Sequence, residues 1–191
     1  MTDLRAYLDR TAALAQQMPL DVIETVIQRI VDAGDTDHTI FVLGNGGSAA
    51  TASHFANDLG KGDVTGSPRR LRVMALTDNV PLMTAWANDT EYRRVFAEQL
   101  RNFVRAGDVV IGVSASGRSP NVLEAMRLGR AAGACTIGFT GQSGGELKDL
   151  VDHCVRVPSD NVQHIEDFHL VAFHLVYAHL RDTYLNRPDG R

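Results

Sequence analysis

The chain has 191 residues, of which 44% are apolar and 22% charged, with a formal net charge of -4 at pH 7. That length suits one domain, or one domain with a small appendage, and is enough to bury a sizeable core. The acidic balance argues against a polyanion-binding surface, the polar amino terminus against a secretory leader, and no apolar run approaches the ~20 residues that cross a bilayer. A soluble cytoplasmic protein is expected, with no nucleic acid and no membrane among its partners. Cys135 and Cys154 stand far apart in apolar segments and read as buried thiols of a reducing compartment.

Residues 3–18 place Leu4, Tyr7, Leu8, Leu14 and Met18 at helical spacing, and Pro19 breaks the pattern. A second amphipathic stretch carries Val22, Ile23, Val26, Ile27, Ile30 and Val31 and closes at Gly34. Residues 1–36 therefore read as a helical docking arm, for its own core or for a sister subunit. Strands and helices then alternate through 37–185. Strands are predicted at 39–43, 71–76, 109–113, 136–139 and 154–157. Helices are predicted at 49–59, 80–86, 91–104, 120–132, around 145–151 and at 163–184. Such alternation predicts an α/β fold with a parallel sheet sandwiched by helices, its ligands collecting at the carboxyl ends of the strands. Gly60–Arg70 reads as a mobile loop and the tail at 186–191 as a frayed end.

Two strand-end turns share one design. Gly44-Asn45-Gly46-Gly47-Ser48 follows the first strand and opens onto a helix, with glycines for close backbone approach, an amide on Asn45 and a helix cap in Ser48. Ser114-Ala115-Ser116-Gly117-Arg118-Ser119 follows the third strand, and Ser119-Pro120 reads as a cap with proline at the first helical position. Each turn offers hydroxyl and backbone donors at the positive end of a helix dipole, so the two together could grip one phosphorylated small molecule. Gly44, Gly46 and Ala49 also fit a dinucleotide fingerprint, but the acid expected about 20 residues on is missing and the serine turn would go unexplained. No Gly-Lys-Ser/Thr follows at P-loop spacing.

With these turns, His54-Phe55-Ala56, Ala87-Asn88-Asp89, Gly141 to Leu147 and a final helix bearing Glu166, His169 and His174, the chain resembles the sugar isomerase (SIS) domain family over roughly residues 38–180. Within that family it is most similar to the phosphoheptose isomerases. The resemblance implies a flavodoxin-like five-stranded parallel sheet, a homotetramer with shared active sites, and conversion of sedoheptulose 7-phosphate to a D-glycero-heptose 7-phosphate. It implies Ser48, Ser114, Ser116 and Ser119 as the phosphate grip. Gly46, Gly47, Asn88, Ala115 and Glu166 are expected to line the substrate, with Asn45 and Asp89 as sugar-hydroxyl contacts. Ala115 stands where the family usually has threonine, so one hydroxyl donor is absent. Asp89 also suits an N-cap for a helix starting near Thr90. Leu76-Thr77-Asp78-Asn79-Val80 is similar to a subgroup of SIS proteins that bind the bacterial replication initiator, which keeps a non-catalytic sugar-phosphate-binding or regulatory protein as the alternative.

His54 and Asp58, four apart on a predicted helix, share a face and can chelate one ion. By resemblance, a divalent metal, zinc (Zn2+) above others, is held by His54, Asp58, Glu166 and His174, with Asp58 and His174 catalytic. Two of these depart from the family: Asp58 stands where it has a glutamate base, and Glu166 where it has a glutamine. Aspartate is shorter by one methylene, on the order of 1.5 Å, a misplacement that costs up to ~10²-fold in rate. Glu166 and His174 lie about 12 Å apart along an unbroken helix, so their meeting at one ion needs side chains that lean together or ligands from different subunits. His169, at i+3 from Glu166, is held in reserve, and His164 and His179 read as packing or surface histidines.

Overall fold

Along β1 (Thr39–Gly44) Ile40 and Val42 face one way, Phe41 and Leu43 the other, and all four are buried. A strand apolar on both faces has to be covered on both, which in a parallel sheet is done by the crossover helices. The computed structural model describes residues 3–62 and 69–187 and has that arrangement. After α1 (Leu4–Ala15) and α2 (Leu20–Asp35) come β1, α3 (Gly47–Lys61), β2 (Arg72–Ala75) and α4 (Val80–Asp89). A single 3-10 turn (Tyr92–Arg94) leads into α5 (Val95–Arg101), β3 (Val109–Val113), α6 (Pro120–Ala131) and β4 (Cys135–Thr140). The short α7 (Leu147–Leu150), β5 (His153–Arg156) and α8 (Val162–Leu180) follow, and a π turn (Arg181–Leu185) ends the described chain.

The five strands are parallel in the order β2-β1-β3-β4-β5. The connections reverse direction between β1 and β3, where an open sheet of this kind leaves a crevice at its carboxyl edge. One face packs Ile40, Val42, Val109, Ile111 and Ile137 under α2, α3 and α8; the other packs Phe41, Leu43 and Val110 under α5 and α6. The amino-terminal pair docks onto its own core: α2 buries Ile23, Val26, Ile30 and Ala33, and α1 is tied down by Leu14 and by Tyr7, whose ring lies against His164 and whose hydroxyl donates to Asp167.

The amino edge of the sheet is closed by two carboxylates. Asp108 accepts from the Thr39 and Arg105 amides (2.8 and 2.7 Å), and Asp152 Oδ2 accepts from the Thr136 amide and hydroxyl (both 2.8 Å). Each ties the start of a neighbouring strand, Thr39 as the first residue of β1 and Thr136 as the second of β4, whose N–H would otherwise be orphaned.

Several boundaries differ from expectation. The strand expected at 71–76 shortens to Arg72–Ala75, because β2 is the edge strand and is paired on one side. The helix expected at 80–86 continues to Asp89, so Asp89 ends α4 and is not the N-cap of a helix at Thr90; Thr90 instead folds its hydroxyl back onto the Trp86 carbonyl. Both cysteines are half-buried and unpaired, and burial pushes each thiol above its ordinary pKa. The mobile loop expected within Gly60–Arg70 falls largely on 63–68, and the frayed tail on 188–191, outside the described residues.

Candidate functional site

Both predicted turns lie at the carboxyl edge, on the adjacent strands β1 and β3. In the first, Gly46 adopts φ 56° and takes the N-cap position of α3, so Ser48 is not the cap expected of it. Ser48 lies inside the first helical turn and is 6% exposed, while Gly46 and Gly47 are exposed. In the second turn, Ser119 does hold the N-cap position of α6, with Pro120 at the first helical residue, but its hydroxyl makes no capping bond. It pairs instead with the Ser114 hydroxyl (2.9 Å), and Ser116 Oγ accepts from the Arg118 amide (3.2 Å). Ser114 is buried, Ser119 half-buried and Ser116 exposed, a gradation that leads from the strand end to the surface.

The serine turn is braced from behind by a second glycine turn. Gly141 N–H donates to the Ala115 carbonyl (2.9 Å) and Leu147 N–H to the Gly117 carbonyl (3.0 Å). Gly117 sits at φ +63°, and a Cβ there would run into the Gly144 carbonyl, so the two turns meet backbone to backbone. Only glycine takes that conformation without strain and leaves that space. Half-buried Ala115 contributes its carbonyl to this brace and no hydroxyl to the site.

Sequence reasoning missed what holds Asn45. Its amide forms a reciprocal pair with the buried Asn121 of α6, each donating to the other at 2.8 Å, and the Tyr92 hydroxyl adds a third bond to Asn45 Oδ1 (2.9 Å). These partners are 76 and 47 residues away, so no local signal announces them. Asn88 and Asp89, expected at the substrate, are exposed at the end of α4 and bonded to each other (2.8 Å).

Across the crevice, α3 and α8 bring three expected ligands together. His54 Nε2 lies 3.5 Å from Asp58 Oδ2 and 3.4 Å from His174 Nε2, and the last two atoms are 4.0 Å apart. A point equidistant from those three atoms lies about 2.1 Å from each, the length of a zinc–nitrogen or zinc–oxygen bond. The donor set therefore fits a divalent cation, and Asp58 reaches it in spite of its short side chain. Phe55, which follows His54 on α3, and Phe173, which precedes His174 on α8, stack their rings at 4.0 Å and 4°, with Phe139 against Phe173, and so hold the two helices at this spacing. Glu166 does not join this cluster. It sits more than two turns before His174, and its carboxylate has settled against Gly47, where a Cβ would come within 2.7 Å of Oε2. Among the candidates for the ion, then, Glu166 lies against the glycine turn and outside the cluster.

The remaining histidines of α8 divide by burial. His179 is exposed; His164 packs against Tyr7; His169 is 1% exposed and edge-on to Phe139. Burial pushes His169 down to about 4, and the Thr140 carbonyl, short of full hydrogen-bond geometry, offsets this only in part. It is therefore a neutral core residue at pH 7 and no substitute for Glu166.

Comparison with known proteins identifies a family. The family model described as "SIS domain" matches residues 6–141. A phosphoheptose isomerase of Roseiflexus sp. (strain RS-1) is 40% identical over 172 residues, 88% of this chain and 84% of that protein. Among solved structures, phosphoheptose isomerase GmhA from Neisseria gonorrhoeae superposes with a TM-score of 0.87 at 28% identity, covering 94% of this chain and 97% of that one. A phosphoheptose isomerase from Francisella tularensis gives a TM-score of 0.89 at 26% identity, covering 96% and 100%.

Proposed function

This chain belongs to the SIS domain family, and we infer that it is a phosphoheptose isomerase, an enzyme that interconverts a seven-carbon ketose phosphate and its aldose. The observation that carries the reading is a donor-rich double turn at the carboxyl edge together with a three-ligand cluster that draws two of its members from α3, the helix the first turn opens. Sedoheptulose 7-phosphate is the substrate that fits the relatives' names, with a D-glycero-heptose 7-phosphate as product.

Ser48, Ser114, Ser116 and Ser119, with the first amides of α3 and α6, hold the phosphate at helix termini that favour an anion. That fixes the far end of the sugar and leaves its carbonyl end toward α8. Moving a proton between C1 and C2 needs a base at carbon and proton exchange at the two oxygens, with water kept out. His54, Asp58 and His174 would hold a divalent metal, zinc by its two imidazoles and one carboxylate, which when bound polarises the carbonyl. Asp58 takes the proton from C1 as the C–H electron pair forms the C1–C2 double bond of the enediol, and returns it to C2. His174 carries the proton from O1 to O2. Glu166, beside Gly47, accepts from a sugar hydroxyl. Asn88 and Asp89 reach such a hydroxyl only from the end of α4, which suits a site shared between subunits.

His54 and His174 are about half exposed, and Val171 and Leu175 on the same helix are 42% and 44% exposed. An apolar surface bordering an open catalytic cluster supports assembly with further copies of the chain, a homotetramer in our reading, and residues 1–36 act as the arm that steadies it. No helix among the described residues is long and apolar enough to cross a membrane, which accords with a cytoplasmic enzyme.

Proton NMR of sedoheptulose 7-phosphate with the purified protein in D2O tests the reading. Zinc-loaded protein is expected to produce the aldose and to exchange a C1 hydrogen for deuterium, and chelated protein to do neither. Binding of the sugar phosphate without either change would favour the non-catalytic regulatory alternative.

A further inference from the structure

Asn45 directly follows β1 and Asn121 is the second residue of α6, so their amide pair bridges the two turns of the site. An amide's oxygen and nitrogen are alike in shape, and a reciprocal pair taken alone has two equivalent orientations. A third contact removes the choice. The Val122 backbone N–H, which can only donate, points at Asn121 Oδ1 (3.0 Å). Reversing Asn121 would set donor against donor in a place where the side chain is 2% exposed and has no water to turn to. Asn121 is therefore fixed, and its orientation fixes that of Asn45. The Tyr92 hydroxyl then donates into the second lone pair of Asn45 Oδ1. Asn45 keeps one unspent N–H and no free acceptor.

We propose that Asn121 and Tyr92 are positioning residues that make Asn45 a donor-only contact, so that the head of α3 selects an oxygen acceptor on the bound sugar phosphate and rejects a donor there. The orientation is relayed from a backbone N–H at the start of α6, through a buried amide, to an amide facing the crevice. The identity of the ligand rests on the sugar-phosphate reading above; the locked amide does not.

Two variants test it. Asn121→Asp keeps the shape and both acceptor contacts but cannot donate to Asn45 when ionised, and Tyr92→Phe removes one hydroxyl from a side chain that is 54% exposed. Loss of one such bond is worth about tenfold, so Asn121→Asp is expected to raise KM for sedoheptulose 7-phosphate about tenfold, and Tyr92→Phe by about threefold. In both, kcat and inhibition by inorganic phosphate should stay near the parent, and the Tm of Tyr92→Phe should not move. A purely structural role would shift Tm and leave the KM-to-kcat ratio alone. The lock has a readout of its own in the 15N-labelled protein, where the Asn45 side-chain N–H bonded to Asn121 should exchange slowly with D2O and lose that protection in a third variant, Asn121→Ala, which takes the acceptor away. Fast exchange in the parent, or unchanged exchange in Asn121→Ala, refutes the lock whatever the turnover. Protected amides with an unchanged KM overturn the donor-only role. A parent protein that fails to isomerise the sugar overturns the function and leaves the exchange result to decide the lock. If the Asn121 variants do not fold, Tyr92→Phe carries the KM comparison and slow exchange of the Asn45 amide in the parent carries the lock.

Discussion

The two edges of one sheet are built to opposite ends. At the amino edge, carboxylates are consumed: Asp108 and Asp152 each spend their oxygens on strand and turn N–H groups. At the carboxyl edge, donors are gathered and left within reach of the surface, on Gly46, Gly47 and Ser116. The polarity of a parallel sheet is the reason. The helices that follow strands begin at the carboxyl edge with free N–H groups, and the strands begin at the other edge with N–H groups that need acceptors. Cavity size does not distinguish the two. A cavity of 530 Å³ opens at the amino edge, lined by His38, Arg72, Phe103 and Arg105, and the carboxylate within it, Asp108, is already satisfied. Chemistry follows unspent groups, and volume is a poor guide to them.

Substitutions at the two edges should therefore part activity from stability. The largest effect is expected from His174→Ala, which removes one of three ligands from an exposed cluster. Zinc affinity, read by competition with a chromogenic chelator, should fall by more than the ~10–100-fold typical of groups that merely orient a ligand. Turnover should fall with it while the Tm of metal-free protein holds. Gly117→Ala comes next and breaks the brace behind the serine turn. A left-handed backbone and overlap with Gly144 should cost about 3 kcal/mol, and calorimetric binding of inorganic phosphate should weaken in the fraction that folds.

Between the edges, His169 supplies a pH dependence that belongs to the core alone. Its folded value is about 4 against about 6.5 for an unfolded histidine, so the unfolded chain takes the proton first. Stability is full above about 6.5 and falls as the pH drops toward 4. His169→Leu should flatten that decline in Tm while staying within ~1 kcal/mol of the parent at pH 7. The smallest effect is expected from Asp152→Asn at the amino edge. Burial works against the Asp152 carboxylate, but the two bonds from Thr136 outweigh it, helped by Arg130 and His153, and the net pKa lies below the ordinary carboxylate value. A depressed folded pKa gives stability that is present above ~3.9 and lost as pH falls through the folded value. The variant should lose about 1 kcal/mol or less, soften the acid limb of the Tm profile and leave kcat and KM unchanged. A change in KM here would erase the distinction between the edges.

Strand and helix order, the parallel sheet and the two donor-rich turns were legible along the chain, because each is encoded by residues within a few positions of one another. Apolar alternation, Gly44 to Ser48 and Ser114 to Pro120 are local signals, and so is the i,i+4 pair His54 and Asp58. Failures came where packing, and not the local sequence, chose a residue's partner. Ser119 has the sequence of a cap and holds the cap position, yet its hydroxyl answers to Ser114. Asp89 has the sequence of a cap and ends a helix, because α4 had apolar contacts to continue on.

Sequence alone, then, determined the layers of this protein, the edge of the sheet where its donor-rich turns gather and the residue types that meet there. Tertiary structure alone decided which of those residues are free to act. It drew His54, Asp58 and His174 within 4.0 Å of one another, parted Glu166 from them onto Gly47, and turned Asn45 into a donor through Asn121 and Tyr92. A hydrogen bond or a ligand bond is settled within a few tenths of an ångström, and that precision comes from helices packed across a sheet, which no local pattern of residues encodes.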